Sequence, residues 1–171
     1  MPLYRLITNA SIGNPDDDPQ AAKDSWKLYS RLEDDKPDAS LLLIRQIAAM
    51  QEPADRKAAL AAVVKLIQVA ATGKPLTDFY DKKQCHPFHQ FLHPEKPPQT
   101  NHSVYRIWKG ARVRLSFYYG ADRSILLVNA FSKKEDKLTK AQTTALETEV
   151  KTYLDAMAEG TFRICKQEIK D

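Results

Sequence analysis

A change of hydrophobic period at Ser103 limits the possible fold more than any other feature of the sequence. Before this residue, apolar side chains recur at three- and four-residue steps, which is typical of helices. After it come three segments separated by Gly110 and Gly120. In each segment the residues either alternate between apolar and polar or form a short apolar run. The segments are residues 104–109, 112–119 and 124–131. This pattern predicts three consecutive strands joined by turns.

Helices are predicted on both sides of these strands. After a short strand at residues 4–8, three apolar stripes of helical period follow, and Gly73 stands where the third helix would end. The stripes begin at Asp18-Pro19, at Pro37 and at Pro53, and the first includes Ala22, Trp26, Tyr29 and Leu32. Residues 74–102 contain five prolines and four histidines, which predicts a loop or irregular connection. A final helix is predicted at residues 139–158 and a closing strand at 161–165.

Positive charge is concentrated in the predicted strands. Residues 101–134 contain seven lysines and arginines and one aspartate, whereas residues 1–40 contain five basic and eight acidic residues. The whole chain has a net charge of only +4. A local basic block indicates a polyanionic partner, with nucleic acid first among the candidates. The alternative is a solvated basic face without a specific partner.

The first predicted hairpin has a register that its own side chains define. Odd-numbered residues from 113 to 117 are apolar and even-numbered ones are polar, so the two sets face opposite sides of the sheet. A three-residue loop keeps both faces consistent, because it places Ile107 opposite Val113. The same register places Arg106 opposite Arg114 on the polar face.

This register predicts a phosphate site. Two arginines directly opposite each other repel, so an anion between the guanidinium groups would explain the pair, and phosphate fits both. Trp108, predicted opposite Arg112, offers a surface for a stacked base. Alternatively, the arginines pair with carboxylates of the N-terminal helices. The candidate RNA-binding residues are Trp108, Lys109, Arg112 and Tyr118.

The three strand segments together resemble the RelE/ParE toxin superfamily, and most closely its HigB-like and phage Gp49-like branch. The resemblance rests on YRI at residues 105–107, on Gly110 with RVRLSFY at 112–118, and on ILLVNAFSKK at 125–134. It covers about residues 54–157. It implies an α+β fold, in which a small curved antiparallel sheet packs against helices. The chain would then be a single domain over residues 1–171, with residues 54–165 as core and residues 1–53 as an N-terminal strand and helical extension, a length similar to that of the YhaV-like branch.

The resemblance also implies a function. Members of this kind cleave mRNA on the ribosome without a metal or other cofactor, by attack of a ribose 2′-hydroxyl on the adjacent phosphate. Arg106 and Arg114 match basic residues of the family's first two motif strands, and Lys133 or Lys134 matches the basic residue after the third. Such toxins are usually neutralised by an acidic antitoxin that covers the basic face. The expected partners are therefore the antitoxin, mRNA and the ribosome.

Proton transfer is the least defined part of this prediction. RelE-like enzymes often have a basic residue where this chain has Trp108 and a tyrosine in the terminal helix region, but Tyr153 is predicted to be core. His86 and His89 are the candidate proton-transfer residues, with His93 and His102 also available, because histidine titrates near neutral pH. Cys85, His89 and His93 would share one face of a helix as zinc ligands, but Pro87 argues against that helix, and no metal site is predicted.

Two other functions fit the same residues. One is a ParE-like toxin that inhibits DNA gyrase by binding, since this function needs no acid–base pair. The other is a non-catalytic nucleic-acid-binding protein of phage origin. The sequence has no apolar run of the roughly 20 residues that span a bilayer and no secretory signal pattern. Its two cysteines, Cys85 and Cys165, suit a reducing compartment, so a cytoplasmic location is expected.

Overall fold

The computed structural model describes residues 1–110, 112–132 and 138–165, without the side chain of Lys109. Within these residues the chain forms seven strands and three α-helices. The strands are β1 (Tyr4–Leu6), β2 (Lys27–Arg31), β3 (Cys85–His93), β4 (Thr100–Lys109), β5 (Val113–Gly120), β6 (Ser124–Ser132) and β7 (Ile164–Cys165). The helices are α1 (Leu42–Ala48), α2 (Pro53–Thr72) and α3 (Lys140–Glu159). None of the helices in the described ranges has the length and apolar character needed to cross a membrane.

All seven strands belong to one mixed sheet with the order β3-β4-β5-β6-β2-β1-β7. Strands β3 to β6 form an antiparallel meander, as expected for segments joined by short turns. Strand β2 then pairs in parallel with β6, and β1 pairs antiparallel with β2 and parallel with β7. The prediction of a small antiparallel sheet with an N-terminal helical extension is therefore wrong, since β1 and β2 widen the sheet itself and make it mixed.

Helices cover both faces of the sheet. One apolar core lies between the sheet and the pair α1 and α2, and a second core, rich in tyrosine, lies between the sheet and α3. Adjacent residues of β2 show this division, since Leu28 belongs to the first core and Tyr29 to the second. Below, the two sides are called the α1/α2 face and the α3 face.

Strand β2 replaces the first predicted helix. Trp26, Tyr29 and Leu32 have helical spacing, but a five-residue strand buried on both faces also has apolar residues without alternation. Asp18, expected to cap that helix, instead accepts a hydrogen bond from the backbone N–H of Asn9 through Oδ1, at 2.8 Å. The second predicted helix is shorter than expected, because α1 begins only at Leu42.

Strand β3 lies where a loop was predicted. The proline content of this segment favours a loop, but β3 is at the edge of the sheet, where a strand tolerates proline. Pro87 lies at a bulge, and the pairing with β4 shifts between Pro87 and His89. Three of the four histidines in the predicted loop, His86, His89 and His93, are thus held in register with β4, and His102 lies on β4 itself.

The remaining predicted elements are confirmed. Helix α2 ends at Gly73, whose positive φ of 68° suits glycine, and α3 begins with a capping box between Thr139 and Gln142. Tyr153 is buried in the core, as predicted. A Cβ atom on Gly120 would lie 2.6 Å from the Tyr153 hydroxyl, so this turn glycine permits the close approach of α3.

Candidate nucleic-acid interface

The hairpin of β4 and β5 has its predicted faces but not its predicted register. Trp108 lies opposite Arg114, and Arg106 lies opposite Ser116, so each residue of β4 opposes one that is two positions further along β5 than expected. The loop begins one residue later than predicted, because Lys109, expected to be its first residue, pairs with Val113. A shift of two preserves the side-chain alternation, which explains why both registers satisfy the hydrophobic pattern.

Two guanidinium groups meet around one indole ring on the α3 face. The Cζ atom of Arg114 lies 4.2 Å from the Trp108 ring centroid, and that of Arg106 lies 5.4 Å from it. Both distances are within the range of cation–π attraction. Arg114 is buried, with 4% of its surface exposed, whereas Arg106 and Trp108 are half-buried. These three residues are called the arginine–tryptophan cluster.

His86 orients Arg106. The Nε–H of Arg106 donates a hydrogen bond to Nε2 of His86 at 3.2 Å, and the Arg106 guanidinium also lies 5.6 Å from the Phe88 ring centroid. An imidazole that accepts at Nε2 is neutral and carries its proton on Nδ1. In this arrangement Nδ1 of His86 has a hydrogen that it can donate. Its Nε2, the nitrogen that could otherwise accept a proton, accepts the hydrogen bond from Arg106.

A row of polar side chains crosses four neighbouring strands beside the cluster. His86 on β3 pairs with Arg106 on β4, Arg106 pairs with Ser116 on β5, and Ser116 pairs with Asn129 on β6. A bulge in β6 follows this last pair, since Phe117 opposes Leu127. Because a bulge re-aims side chains, Asn129 joins the row although its strand is otherwise apolar.

Ser116 and Asn129 were not predicted as site residues. A sequence signal existed for Asn129, the one amide within the apolar run of residues 125–131. The alternation also placed Ser116 on the polar face, but its position opposite Arg106 depends on the true register. Together they form the polar row, which is defined here as His86, Arg106, Ser116 and Asn129.

The other predicted site residues lie elsewhere. Arg112 forms a salt bridge with Asp55 of α2 at 3.4 Å and lines a cavity of about 440 Å³ on the α1/α2 side. Tyr118 packs beneath α3, where its hydroxyl hydrogen-bonds His102 Nδ1 at 2.8 Å. His89 Nε2 hydrogen-bonds Glu147 of α3 at 2.7 Å. Lys133, Lys134 and the Lys109 side chain lie outside the described part of the chain.

The possible zinc ligands are not brought together. Cys85 packs against the core on the α1/α2 face, whereas His89 and His93 bond carboxylates of α3 on the other side of the sheet. Burial raises the pKa of the Cys85 thiol to about 11, which disfavours the thiolate that zinc requires. No group of three metal-binding side chains occurs among the residues described.

No family model, no curated protein and no solved structure matches the chain. The residues of the site itself are therefore the basis for assigning a function.

Proposed function

We propose that the chain is the toxin of a toxin–antitoxin pair and cleaves mRNA at the arginine–tryptophan cluster. The observation that carries this proposal is the meeting of two guanidinium groups around one indole ring. Guanidinium groups bind phosphate through two parallel hydrogen bonds, and an indole ring stacks on a base, so the cluster has the two chemical functions that single-stranded RNA requires. The resemblance of these strands to the RelE/ParE superfamily supports the same activity.

Cleavage would follow the 2′-hydroxyl route. The ribose 2′-oxygen attacks the adjacent phosphorus and passes its proton to solvent water, while the bond to the 5′-oxygen breaks and that oxygen takes a proton from solvent water. The products are a 2′,3′-cyclic phosphate and a 5′-hydroxyl. Arg106 and Arg114 would stabilise the negative charge that develops on the phosphate oxygens, and His86 would hold Arg106 in place. We assign neither proton transfer to His86 or His89, because Arg106 occupies Nε2 of the first and Glu147 binds the second.

The proposed partners follow from the charge of this surface. An acidic segment of an antitoxin would neutralise the cluster by offering carboxylates to the guanidinium groups. The ribosome would present the mRNA, so the protein would act in the cytoplasm.

Growth and mRNA integrity test the proposal when the protein is produced in bacteria from an inducible promoter. The test variant is Arg106→Ala, since Arg106 is half-buried and its loss opens no deep cavity. Arg45→Ala is the matched control, because Arg45 is an exposed arginine of α1 whose salt bridge goes to Glu33. We expect the wild-type protein and the control to arrest growth and to produce new internal 5′ ends in mRNA. Arg106→Ala should lower the cleavage rate about 100-fold, as the loss of one charge-stabilising donor does in other enzymes.

Two results would contradict the proposal. Growth arrest with intact mRNA and a loss of DNA supercoiling would point to the inhibition of gyrase. RNA binding without either arrest or cleavage would point to a non-catalytic RNA-binding protein. Circular dichroism of each purified variant shows whether it is folded, so that a loss of activity is not mistaken for a loss of structure.

A further inference from the structure

We infer that Ser116 and Asn129 bind the ribose 2′-hydroxyl beside the phosphate that the arginine–tryptophan cluster holds, and so select RNA over DNA. This inference rests on the proposed function and names the part of the substrate that the polar row recognises. It assigns a positioning role to two residues that the sequence motifs do not single out.

Unpartnered polar atoms are the first observation. Among the described residues, the buried Ser116 Oγ and Asn129 Oδ1 have no hydrogen-bond partner, and neither do Trp108 Nε1 and His86 Nδ1. Ser116 is completely buried, and a buried polar group without a partner is costly, so most such groups in folded proteins are paired. Four of them around one pair of arginines indicate a surface built to bind a polar ligand.

These four atoms differ in whether they can donate or accept a hydrogen bond. Trp108 Nε1 and, in its present tautomer, His86 Nδ1 can only donate, which suits phosphate oxygens. Asn129 Oδ1 can only accept, and the Ser116 hydroxyl can do both. An anion would be repelled by Asn129 Oδ1, so the group bound there must carry a hydrogen, as a hydroxyl does.

The positions of Ser116 and Asn129 relative to the arginines indicate that they bind a sugar hydroxyl and not a base. Ser116 lies directly opposite Arg106, and Asn129 is one strand further, a spacing of about 4.8 Å. The ribose 2′-hydroxyl is the neutral polar group of RNA nearest to the 3′-phosphate, whereas the base edges lie a ribose ring further away. A phosphate between the two arginines therefore places a 2′-hydroxyl above the Ser116–Asn129 pair.

Such a contact has two effects. It distinguishes RNA from DNA, because the 2′-hydroxyl is the group that DNA lacks. It also holds the oxygen that attacks phosphorus in the proposed reaction, with Asn129 Oδ1 accepting its hydrogen bond. Asn129 would orient the nucleophile without taking its proton, since an amide oxygen is not a base.

The test compares a ribonucleoside 3′-monophosphate with its 2′-deoxy counterpart. Neither contains a leaving nucleoside, so neither is cleaved, and the two differ only in the hydroxyl. Binding is followed by NMR through the indole N–H of Trp108, and that of Trp26, which donates to the backbone oxygen of Lys74, is the internal control. The proteins are the wild type, Asn129→Ala and a matched control, Asn101→Ala, which changes an exposed asparagine of β4.

We expect the wild type and Asn101→Ala to bind the ribose form about 3- to 10-fold more tightly, which corresponds to one neutral hydrogen bond. Asn129→Ala should bind both forms with the affinity that the wild type has for the deoxy form. A merely structural role of Asn129 would weaken both forms together and keep their ratio, which would overturn the inference. Equal binding of both forms by the wild type would overturn it as well and leave the phosphate site standing. Binding of neither form would contradict the proposed function itself.

Discussion

Two buried serines of the sheet differ in whether their hydroxyl is satisfied. Ser30 Oγ donates to the backbone oxygen of Leu127 at 2.9 Å, whereas Ser116 Oγ has no partner among the described residues. Both side chains are at most 1% exposed, so burial alone does not distinguish them. The Ser30 hydroxyl therefore stabilises the fold through a hydrogen bond, whereas that of Ser116 forms none among the described residues.

Replacing each serine by alanine should therefore give different results. Ser30→Ala should lower the free energy of unfolding by about 1 kcal/mol. The reason is that it removes a hydrogen bond, so the backbone oxygen of Leu127 accepts one bond fewer. Ser116→Ala should change the unfolding free energy by less than about 0.5 kcal/mol or raise it, since no bond is lost and a desolvated hydroxyl disappears. Urea unfolding measures both. Equal losses in the two variants would mean that Ser116 has a structural partner.

At the level of single residues, the sequence predicted which side chains share a face but not which atoms lack partners. Arg106, Trp108 and Arg114 were placed together correctly, because alternation in a strand is set by backbone geometry. The pairing across strands was missed, since registers that differ by two residues satisfy the same hydrophobic pattern. The bulge that aims Asn129 leaves no local signature in an apolar run.

Two histidine–carboxylate pairs connect β3 to α3, beside the packing of Phe91 in the core that the two elements share. His89 bonds Glu147 and His93 bonds Asp155, each at 2.7 Å. The hydrogen bond from His89 holds the pKa of Glu147 below its ordinary value of 4.5, with a smaller contribution in the same direction from Lys151. A lowered pKa means that the folded state prefers the carboxylate, so this contact stabilises the fold at pH values above 4.5.

Glu147→Gln should accordingly lose stability in a pH-dependent way. The variant should be less stable than the wild type at about pH 6, and the difference should shrink as the pH falls below 4.5, because the wild-type carboxylate is then protonated too. Denaturant unfolding at a series of pH values measures this difference. Glu159→Gln, at the exposed end of α3, is the control and should follow the wild type throughout. A difference that stays constant with pH would show that the charge of Glu147 is not involved.

Among the elements, those with a long and regular pattern were predicted, whereas strands β2 and β3 were not. Helices α2 and α3 each have 20 residues and are followed by a glycine C-cap, β5 alternates between apolar and polar residues, and β6 is a long, mainly apolar run. Strand β2 has only five residues and no alternation, and β3 contains a proline that only an edge strand tolerates. Both depend on neighbours distant in sequence, which local patterns do not reveal.

In the whole molecule, residues 1–53 have a larger role than the helical extension that the sequence predicts. This segment supplies β1, β2 and α1, and β2 pairs with β6 in the middle of the sheet. It is therefore part of the core and not an addition to it.

Removing residues 1–53 should abolish cooperative folding. The fragment 54–171 would expose the edge of β6 and the apolar residues on both of its faces, which favours aggregation. Thermal unfolding and size-exclusion chromatography test this outcome. A chain that lacks only Met1 and Pro2 is the control and should unfold like the wild type. A cooperative transition in the fragment would instead show that residues 54–165 are a self-sufficient core.

The pairing of β2 with β6 also determines when the fold can form during synthesis. The hydrogen bond from Ser30 to Leu127 joins residues 97 positions apart, so the N-terminal strands leave the ribosome long before their partner has been made. Contacts of such large sequence separation form slowly, and the sheet cannot close until β6 has also been made. A growing chain therefore carries one unpaired edge of β2 until residues 124–132 have been synthesised, and the complete sheet forms only after β6 and β7 have left the ribosome.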